Sequence, residues 1–489
     1  MQIKTTECDV LVIGAGPAGY PAAIRAAQAG LSTVIVDAMV NPDDGACGAW
    51  GGVCANMGCI PSKALLAASH AYASLSHGLE VFGIDIDPKG VTMDYARMQA
   101  HRASCVKSSN KGLSQLFTKY HVRAVAAAAK FEAREGERWA VGVTPVDSAD
   151  GAEPERILAR NVIIACGTKA RALPGIEFDE KVIVSHTGAL KFTEAPKSLG
   201  VIGAGVIGLE LGSVWSRLGT EVTLFDVARD ILPSTDAVMR RTVKGELKKQ
   251  GLVFHMGVRV EAVEKTAEGV KVSTVDKNGT RNEYVFDKLL VAAGRTSLAP
   301  SLAPESVGLK LDTRGYVEVD ACGRTNLPGV WAAGDVAAGS IQLAHYAHEQ
   351  GVNVARSIAS GRPVRYESPV PAVVYIDPEV AWVGETEEAA RSRGIAVRTG
   401  VCPFAANGRA KAQAQTTGFV KVVCEAATDR ILGVHIVGEG AADLCAEAAA
   451  AMAFGATAEA LGLVMHPHPS LSEALAMAAL ASRREATDL

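Results

Sequence analysis

Residues 10–19 read Val10-Leu11-Val12-Ile13-Gly14-Ala15-Gly16-Pro17-Ala18-Gly19, and residues 201–208 read Val201-Ile202-Gly203-Ala204-Gly205-Val206-Ile207-Gly208. Each is an apolar strand running into a Gly-x-Gly-x-x-Gly turn. A helix-like run follows in both. A second apolar strand then ends in an acid, Asp37 or Asp226, 18 positions beyond the third glycine in each case. The first glycine allows the tight turn, the second lets backbone approach a pyrophosphate, and the third lets helix pack on strand. The helix N-terminus offers unpaired N–H groups and a positive dipole end to phosphates. The terminal acid accepts hydrogen bonds from ribose hydroxyls. One such turn is weak evidence, since a glycine-rich turn is often only a turn. Two units with identical spacing predict an α/β chain with two Rossmann-like dinucleotide-binding domains.

Between them lies Gly51-Gly52-Val53-Cys54-Ala55-Asn56-Met57-Gly58-Cys59-Ile60-Pro61-Ser62-Lys63. In an ideal helix, Cα atoms five residues apart are separated by roughly 8 to 9 Å. A disulfide wants less than about 7 Å. A Cys54–Cys59 bridge therefore requires an irregular chain around Cys54, with regular helix beginning only near Cys59. Gly51, Gly52 and Gly58 permit such a distortion. A loop this short gains little stability from closure, so a bridge here reads as chemical rather than structural. The competing reading is two buried free thiols acting as small hydrophobes. The dinucleotide repeat shifts the balance toward redox chemistry.

Composition limits the rest. The 489 residues suggest about three domains. Apolar content of 48% and charged content of 21% are ordinary for a soluble globular protein. A net charge of −4 and the lack of a basic run give no reason to expect a nucleic-acid partner. The chain reaches a strand by about Cys8–Asp9 without a signal-type segment. The Ala-rich stretch at 446–456 contains Glu447 and is too short to span a bilayer. Ten cysteines without an export signal fit reduced thiols in a cytoplasm. No membrane partner is expected.

The two cofactors follow from position. The first unit leads straight into the cysteines, and a redox disulfide must lie against a redox ring, so residues 14–37 are expected to hold FAD. Residues 203–226 are then expected to hold the nicotinamide. Asp226 favours NAD, because a carboxylate repels a 2′-phosphate, although Arg229 stands three residues on.

Over nearly its whole length the chain resembles the pyridine-nucleotide disulfide oxidoreductase family. The resemblance rests on 51–63, on Val162-Ile163-Ile164-Ala165-Cys166-Gly167, on 203–219, and on 325–335 with 343–351. It continues through 404–411 and His466-Pro467-His468-Pro469-Ser470-Leu471-Ser472-Glu473. It implies an FAD domain at 1–160, an NAD domain at 161–293, a central domain at 294–365 that completes the FAD site, and a C-terminal α+β dimerisation domain at 366–489. FAD, bound tightly but non-covalently, would meet Gly14, Gly16, Gly19, Asp37, Gly52, Lys63, Gly167, Gly334, Asp335, Leu343, Ala344 and His345. NAD would meet Gly203, Gly205, Gly208, Asp226 and Gly294.

By the same resemblance Cys59 faces the flavin and Cys54 exchanges with substrate. His468, oriented by Glu473, is the base, and in the family this pair comes from the partner subunit of a homodimer. Lys63 pairs with Glu210 beside the flavin. The implied reaction oxidises dihydrolipoyl groups, borne on a protein of a multienzyme complex for 2-oxo acids or glycine cleavage, and passes hydride to NAD+. A solvated loop histidine and half of a His466–His468 metal site are the other readings of His468. No ligand cluster of suitable spacing lies nearby, so no metal is expected. His345 and His348 are as readily structural. The alternatives for the whole chain are an NAD(P)H-dependent reductase of another disulfide, like that of glutathione, and a flavoprotein subunit without catalysis. Departures from the family pattern are the long loop 38–50 with Cys47, Cys166 in place of a usual threonine, Gly294-Arg295-Thr296-Ser297-Leu298, Pro467, and Asp377-Pro378.

Overall fold

The computed structural model describes residues 4–76, 79–147 and 153–488. The chain forms two compact units. The first joins residues 1–64, 96–171 and 294–367; the second joins 65–95, 172–293 and 368–489.

In the first unit the strand Lys4–Ile13 lies between Thr33–Asp37 and Glu155–Ile164, and all three run parallel. Arg123–Glu135 extends the parallel set on one side and Val330–Ala332 on the other. The strand Arg138–Pro145 pairs antiparallel with both Arg123–Glu135 and Glu155–Ile164. Val10, Leu11 and Val12 are fully buried, which is why the strand reads as a continuous apolar run. Two helices, Gly19–Gln28 and Ala344–Ser360, pack together despite their separation in sequence. Gly351 makes this possible, since a Cβ there would sit 2.0 Å from the Ala18 carbonyl oxygen.

The second unit repeats the arrangement. Ser198–Ile202 lies between Glu221–Asp226 and Lys288–Val291, flanked by Val253–Met256 and Ile183–Val184, all parallel. A three-stranded antiparallel meander, Val258–Thr266, Gly269–Asp276 and Arg281–Phe286, is inserted before the exit strand. The C-terminal part is α+β. Its five antiparallel strands run in the order Pro371–Val374, Val380–Gly384, Ile431–Val437, Phe419–Glu425, Val397–Pro403. Helices Ala441–Ala453 and Glu473–Arg483 share one apolar core with that sheet through Leu444, Cys445, Leu475 and Ala478. Among the described residues, no helix is long and apolar enough to cross a membrane.

Within the second unit a buried ion pair ties the nucleotide-type sheet to the C-terminal sheet. Asp236 caps the helix Ala237–Lys249, and its carboxylate meets Lys421 Nζ at 2.8 Å with both side chains almost fully buried. Lys421 also reaches Glu387 at 2.8 Å. Burial works against the Asp236 carboxylate, but Lys421 outweighs it and holds its pKa below the ordinary range. The depressed carboxylate contributes stability above its unfolded pKa, and that stability is lost as pH falls through the lower folded value. Lys421→Met leaves Asp236 buried without its cation and should cost about 3–5 kcal/mol in denaturant unfolding. Combining it with Asp236→Asn should recover part of that loss; an unchanged midpoint in the single variant would contradict the pairing.

Candidate active site

The two glycine turns match in detail. The Gly14 N–H donates to the Val36 carbonyl at 2.7 Å, and the Gly203 N–H to the Phe225 carbonyl at 2.8 Å. A Cβ on Gly14 would lie 2.3 Å from the Ala165 carbonyl oxygen, and one on Gly203 would lie 2.5 Å from that of Ala292. The third glycines close over the first: a Cβ on Gly19 or Gly208 would stand 1.7 Å or 1.9 Å from the carbonyl oxygen of Gly14 or Gly203. The middle glycines differ from these. A Cβ on Gly205 would meet nothing within 4 Å, and one on Gly16 would meet only Gly52 Cα at 3.8 Å. Each middle glycine thus leaves its loop open for a pyrophosphate, and the residues present fit a dinucleotide at both turns.

The acids repeat as well. Asp37 Oδ2 accepts from the Ala15 N–H at 2.5 Å and Oδ1 from the Met39 N–H at 2.8 Å. Asp226 accepts from the Ala204 and Ala228 N–H groups, both at 2.8 Å. A carboxylate has about four lone-pair sites, so each acid retains capacity for ribose hydroxyls. Burial pushes Asp37 upward against its two N–H donors. Arg229 is exposed.

The cysteine segment is seated on the first turn. The Gly51 N–H donates to the Ala15 carbonyl at 2.9 Å. A Cβ on Gly52 would lie 2.7 Å from Gly16 Cα. Contrary to the expectation of an irregular chain around Cys54, that residue lies in a short helix, Gly52–Met57, and a second helix, Cys59–Ser76, starts at Cys59. The irregularity falls between them at Gly58, with φ −140 and ψ −114. A Cβ on Gly58 would come within 2.9 Å of the Val53 carbonyl oxygen. Cys54 and Cys59 face each other as a hydrogen-bonded pair. Cys54 is held well above the ordinary thiol range, first by its hydrogen bond with Cys59, then by burial and by negative charge on Cys59. The pair therefore gives up one proton far more readily than two. Cys166 is pushed up to about 12 by burial. Cys47 is exposed on the 38–50 loop, which Arg102 and Asp43 anchor to the long helix Tyr95–Lys119 at 2.7 Å.

Several residues of this unit escaped the sequence reading. Asn56, only 1% exposed, donates to the Ala49 and Gly52 carbonyls at 2.9 Å and accepts from Asn110 Nδ2 at 3.0 Å. An asparagine between two cysteines in an apolar run was the available signal. Around Asp335, Thr168 Oγ1 donates to its Oδ2 at 3.1 Å, and Arg295 Nε donates to Thr168 Oγ1 at 2.6 Å. Burial raises Asp335 against the cation of Arg295. The Gly334 N–H donates to Gln350 Oε1 at 2.9 Å. Gly167 and Gly294 both have positive φ. Leu343, Ala344 and His345 open the helix Ala344–Ser360, and His348 contacts the Tyr20 ring edge-on at 6.0 Å.

The remaining candidates divide between the units. Lys63 is half-buried in the first. Glu210 is 4% exposed in the second, on the helix Val206–Arg217, and accepts from the Tyr375 N–H at 2.9 Å. His468 and Glu473 also belong to the second. His468 Nδ1 meets Glu473 Oε1 at 2.8 Å, and Glu473 Oε2 accepts from the Ser470 N–H at 2.8 Å. Burial raises the Glu473 pKa, but the Ser470 N–H and His468 outweigh it and hold the group below its ordinary range. The His468 side chain is 80% exposed, so its Nε2 edge is open to a reactant. His466 is engaged elsewhere, with Glu447 at 2.7 Å and the Val464 carbonyl at 2.8 Å. The arrangement provides a thiol pair on a dinucleotide turn and a carboxylate-oriented imidazole.

Two family models together cover most of the chain. Residues 8–351 match the pyridine nucleotide-disulphide oxidoreductase model, and residues 370–479 match its dimerisation domain. The chain is 45% identical over 473 residues to a dihydrolipoyl dehydrogenase of Cupriavidus necator, covering 97% of each. It is 42% identical to a leghemoglobin reductase of Vigna unguiculata, covering 97% of this chain and 88% of that one. A solved structure of LpdA from Mycobacterium tuberculosis superposes with a TM-score of 0.86 at 27% identity, covering 97% of this chain and 99% of that one.

The turn geometry separates structural from functional glycines. Gly205→Ala should leave the unfolding midpoint unchanged but raise KM for the nicotinamide cofactor about tenfold. Gly208→Ala should destabilise the fold outright, because its Cβ meets backbone. Equal melting losses in both variants would count against an open pyrophosphate position.

Proposed function

The chain belongs to the pyridine nucleotide-disulphide oxidoreductase family, and on that premise we propose that it is an NAD-dependent dihydrolipoyl dehydrogenase. The observation that carries the reading is the seating of the Cys54–Cys59 segment on the first dinucleotide turn, Gly52 against Gly16. The domains follow: FAD at 1–160 with 294–365, NAD at 161–293, and dimerisation at 366–489.

Oxidised, the enzyme holds a Cys54–Cys59 disulfide. His468 takes a proton from one thiol of the dihydrolipoyl group, and Glu473 stabilises the imidazolium that forms. The substrate thiolate attacks Cys54 Sγ, the Cys54–Cys59 bond breaks, and Cys59 leaves as a thiolate. The second substrate thiol attacks the Cys54-bound sulfur and gives its proton to the displaced Cys54, closing the lipoyl ring and leaving Cys54 as a thiol and Cys59 as a thiolate, with the first proton still on His468. Two electrons have then moved from substrate to protein. FAD held at the first turn would supply the two-electron relay from the thiol pair to NAD+, and Cys54 and Cys59 would close again as the disulfide. Asp37 and Asp335 orient the first cofactor, and Asp226 the second.

A homodimer completes the site, with His468 supplied by the partner. Phe454, Leu463 and Met465 are 91%, 75% and 95% exposed beside the His466–His468 segment. Such apolar exposure on a matched dimerisation domain fits a surface covered by a second copy. The lipoyl group is read as carried on a protein of a multienzyme complex. Ten cysteines, of which only Cys54 and Cys59 are read as a redox pair, fit a reducing compartment such as the cytoplasm.

Purified protein mixed with dihydrolipoamide and NAD+ should form NADH, and Cys54→Ser should abolish it. His468→Gln should lower kcat about 100- to 10,000-fold while FAD stays bound. Bound FAD that NADH reduces, with no turnover of dihydrolipoamide, would move the substrate to another disulfide.

A further inference from the structure

The outward face of the helix Ala237–Lys249 carries Arg240, Arg241, Lys244 and Lys248 in one stripe, while Met239, Val243 and Leu247 face the interior. These four cations and Asp230 line a cleft of about 440 Å³, a size that suits a small ligand. In a chain of net charge −4, this is a concentrated positive site. Asp230 holds Lys244 Nζ at 3.0 Å and lies 3.9 Å from Arg240 Nε. Arg240 also donates to the Pro233 and Thr235 carbonyls. The inner cations are thereby positioned. Arg241 and Lys248 are exposed and have no hydrogen-bond or ion-pair partner among the described residues.

Gly245 forms the floor between them. Glycine weakens a helix interior relative to alanine, yet a Cβ here would meet no atom within 4 Å. Packing therefore does not require the glycine, and its effect is to deepen the cleft. Arg241 and Lys248 stand seven residues apart, roughly 10 Å along the axis, enough to engage a chain of phosphoryl groups rather than one phosphate ion. No aromatic side chain lines the cleft, so nothing offers a nucleobase a stacking platform.

We propose that this cleft is a binding site for a phosphoanhydride chain, from inorganic polyphosphate or from the tail of a nucleoside triphosphate. Guanidinium forks and ammonium groups are the donors such oxygens take. None of the lining residues is among those read as catalytic or cofactor contacts, and the site does not depend on the proposed activity.

The test is calorimetry on the FAD-loaded enzyme at fixed ionic strength, with NAD+ saturating so that the dinucleotide turn is closed to ATP. Sodium tripolyphosphate, ATP and orthophosphate are titrated in turn. Tripolyphosphate should bind at least tenfold more tightly than orthophosphate. Binding of ATP comparable to tripolyphosphate identifies nucleotides as a source, and binding of tripolyphosphate alone identifies inorganic polyphosphate. Arg241→Glu with Lys248→Glu should weaken binding at least tenfold. Gly245→Leu, which fills the floor and keeps every charge, should weaken it too. No tripolyphosphate binding, affinity equal to that of orthophosphate, or affinity undiminished in the charge-reversed protein would each overturn the proposal.

Discussion

Two backbones meet at Gly16 and Gly52 with no side chain between them, and the redox machinery depends on that contact. A methyl group on Gly52 would overlap the α-carbon of Gly16. The same approach lets the Gly51 N–H reach the Ala15 carbonyl, which fixes where the helix Gly52–Met57 begins. Cys54 is on that helix, and Cys59 starts the next one after the break at Gly58. Asn56 then locks the first helix to its own entry through the Ala49 and Gly52 carbonyls. The thiols are placed relative to the dinucleotide turn by backbone geometry, with no flexible side chain in the path. Such rigidity suits electron transfer, which needs a fixed distance between sulfur and ring.

The repeat duplicates the rigid parts of the turn and varies the rest. Gly14 and Gly203, Gly19 and Gly208, and Asp37 and Asp226 have the same partners to within a few tenths of an ångström. The middle glycines diverge. A side chain on Gly16 would meet Gly52 Cα in ordinary contact at 3.8 Å, whereas one on Gly205 would meet nothing within 4 Å.

Much of this was legible in the sequence because it depends on local spacing. The two turns, the acids 18 positions on and the five-residue interval of the cysteines are all short-range patterns. The central strands were legible as well, since parallel strands buried on both faces read as unbroken apolar runs. The position of the irregularity between the cysteines was not legible. Glycines at 51, 52 and 58 all permitted it, and a side chain at any of the three would come within 3 Å of a neighbouring atom, so local packing does not single out the last. Contacts between distant segments were also hidden. Thr168, Arg295 and Asp335 converge from three places along the chain, and Lys421 meets Asp236 across 185 positions. Nothing in local composition marks such residues, because their partners are chosen by topology.

The doubly anchored acids bear on how coenzyme preference can change. Asp226 holds the Ala204 and Ala228 N–H groups, so the carboxylate proposed to disfavour a 2′-phosphate also keeps the turn in shape. Exchanging it for a neutral or basic residue releases two part-buried donors along with the charge. A lineage moving toward NADP must therefore supply new acceptors for those donors before, or along with, the charge change. On that proposal, coenzyme preference is coupled to folding at this position.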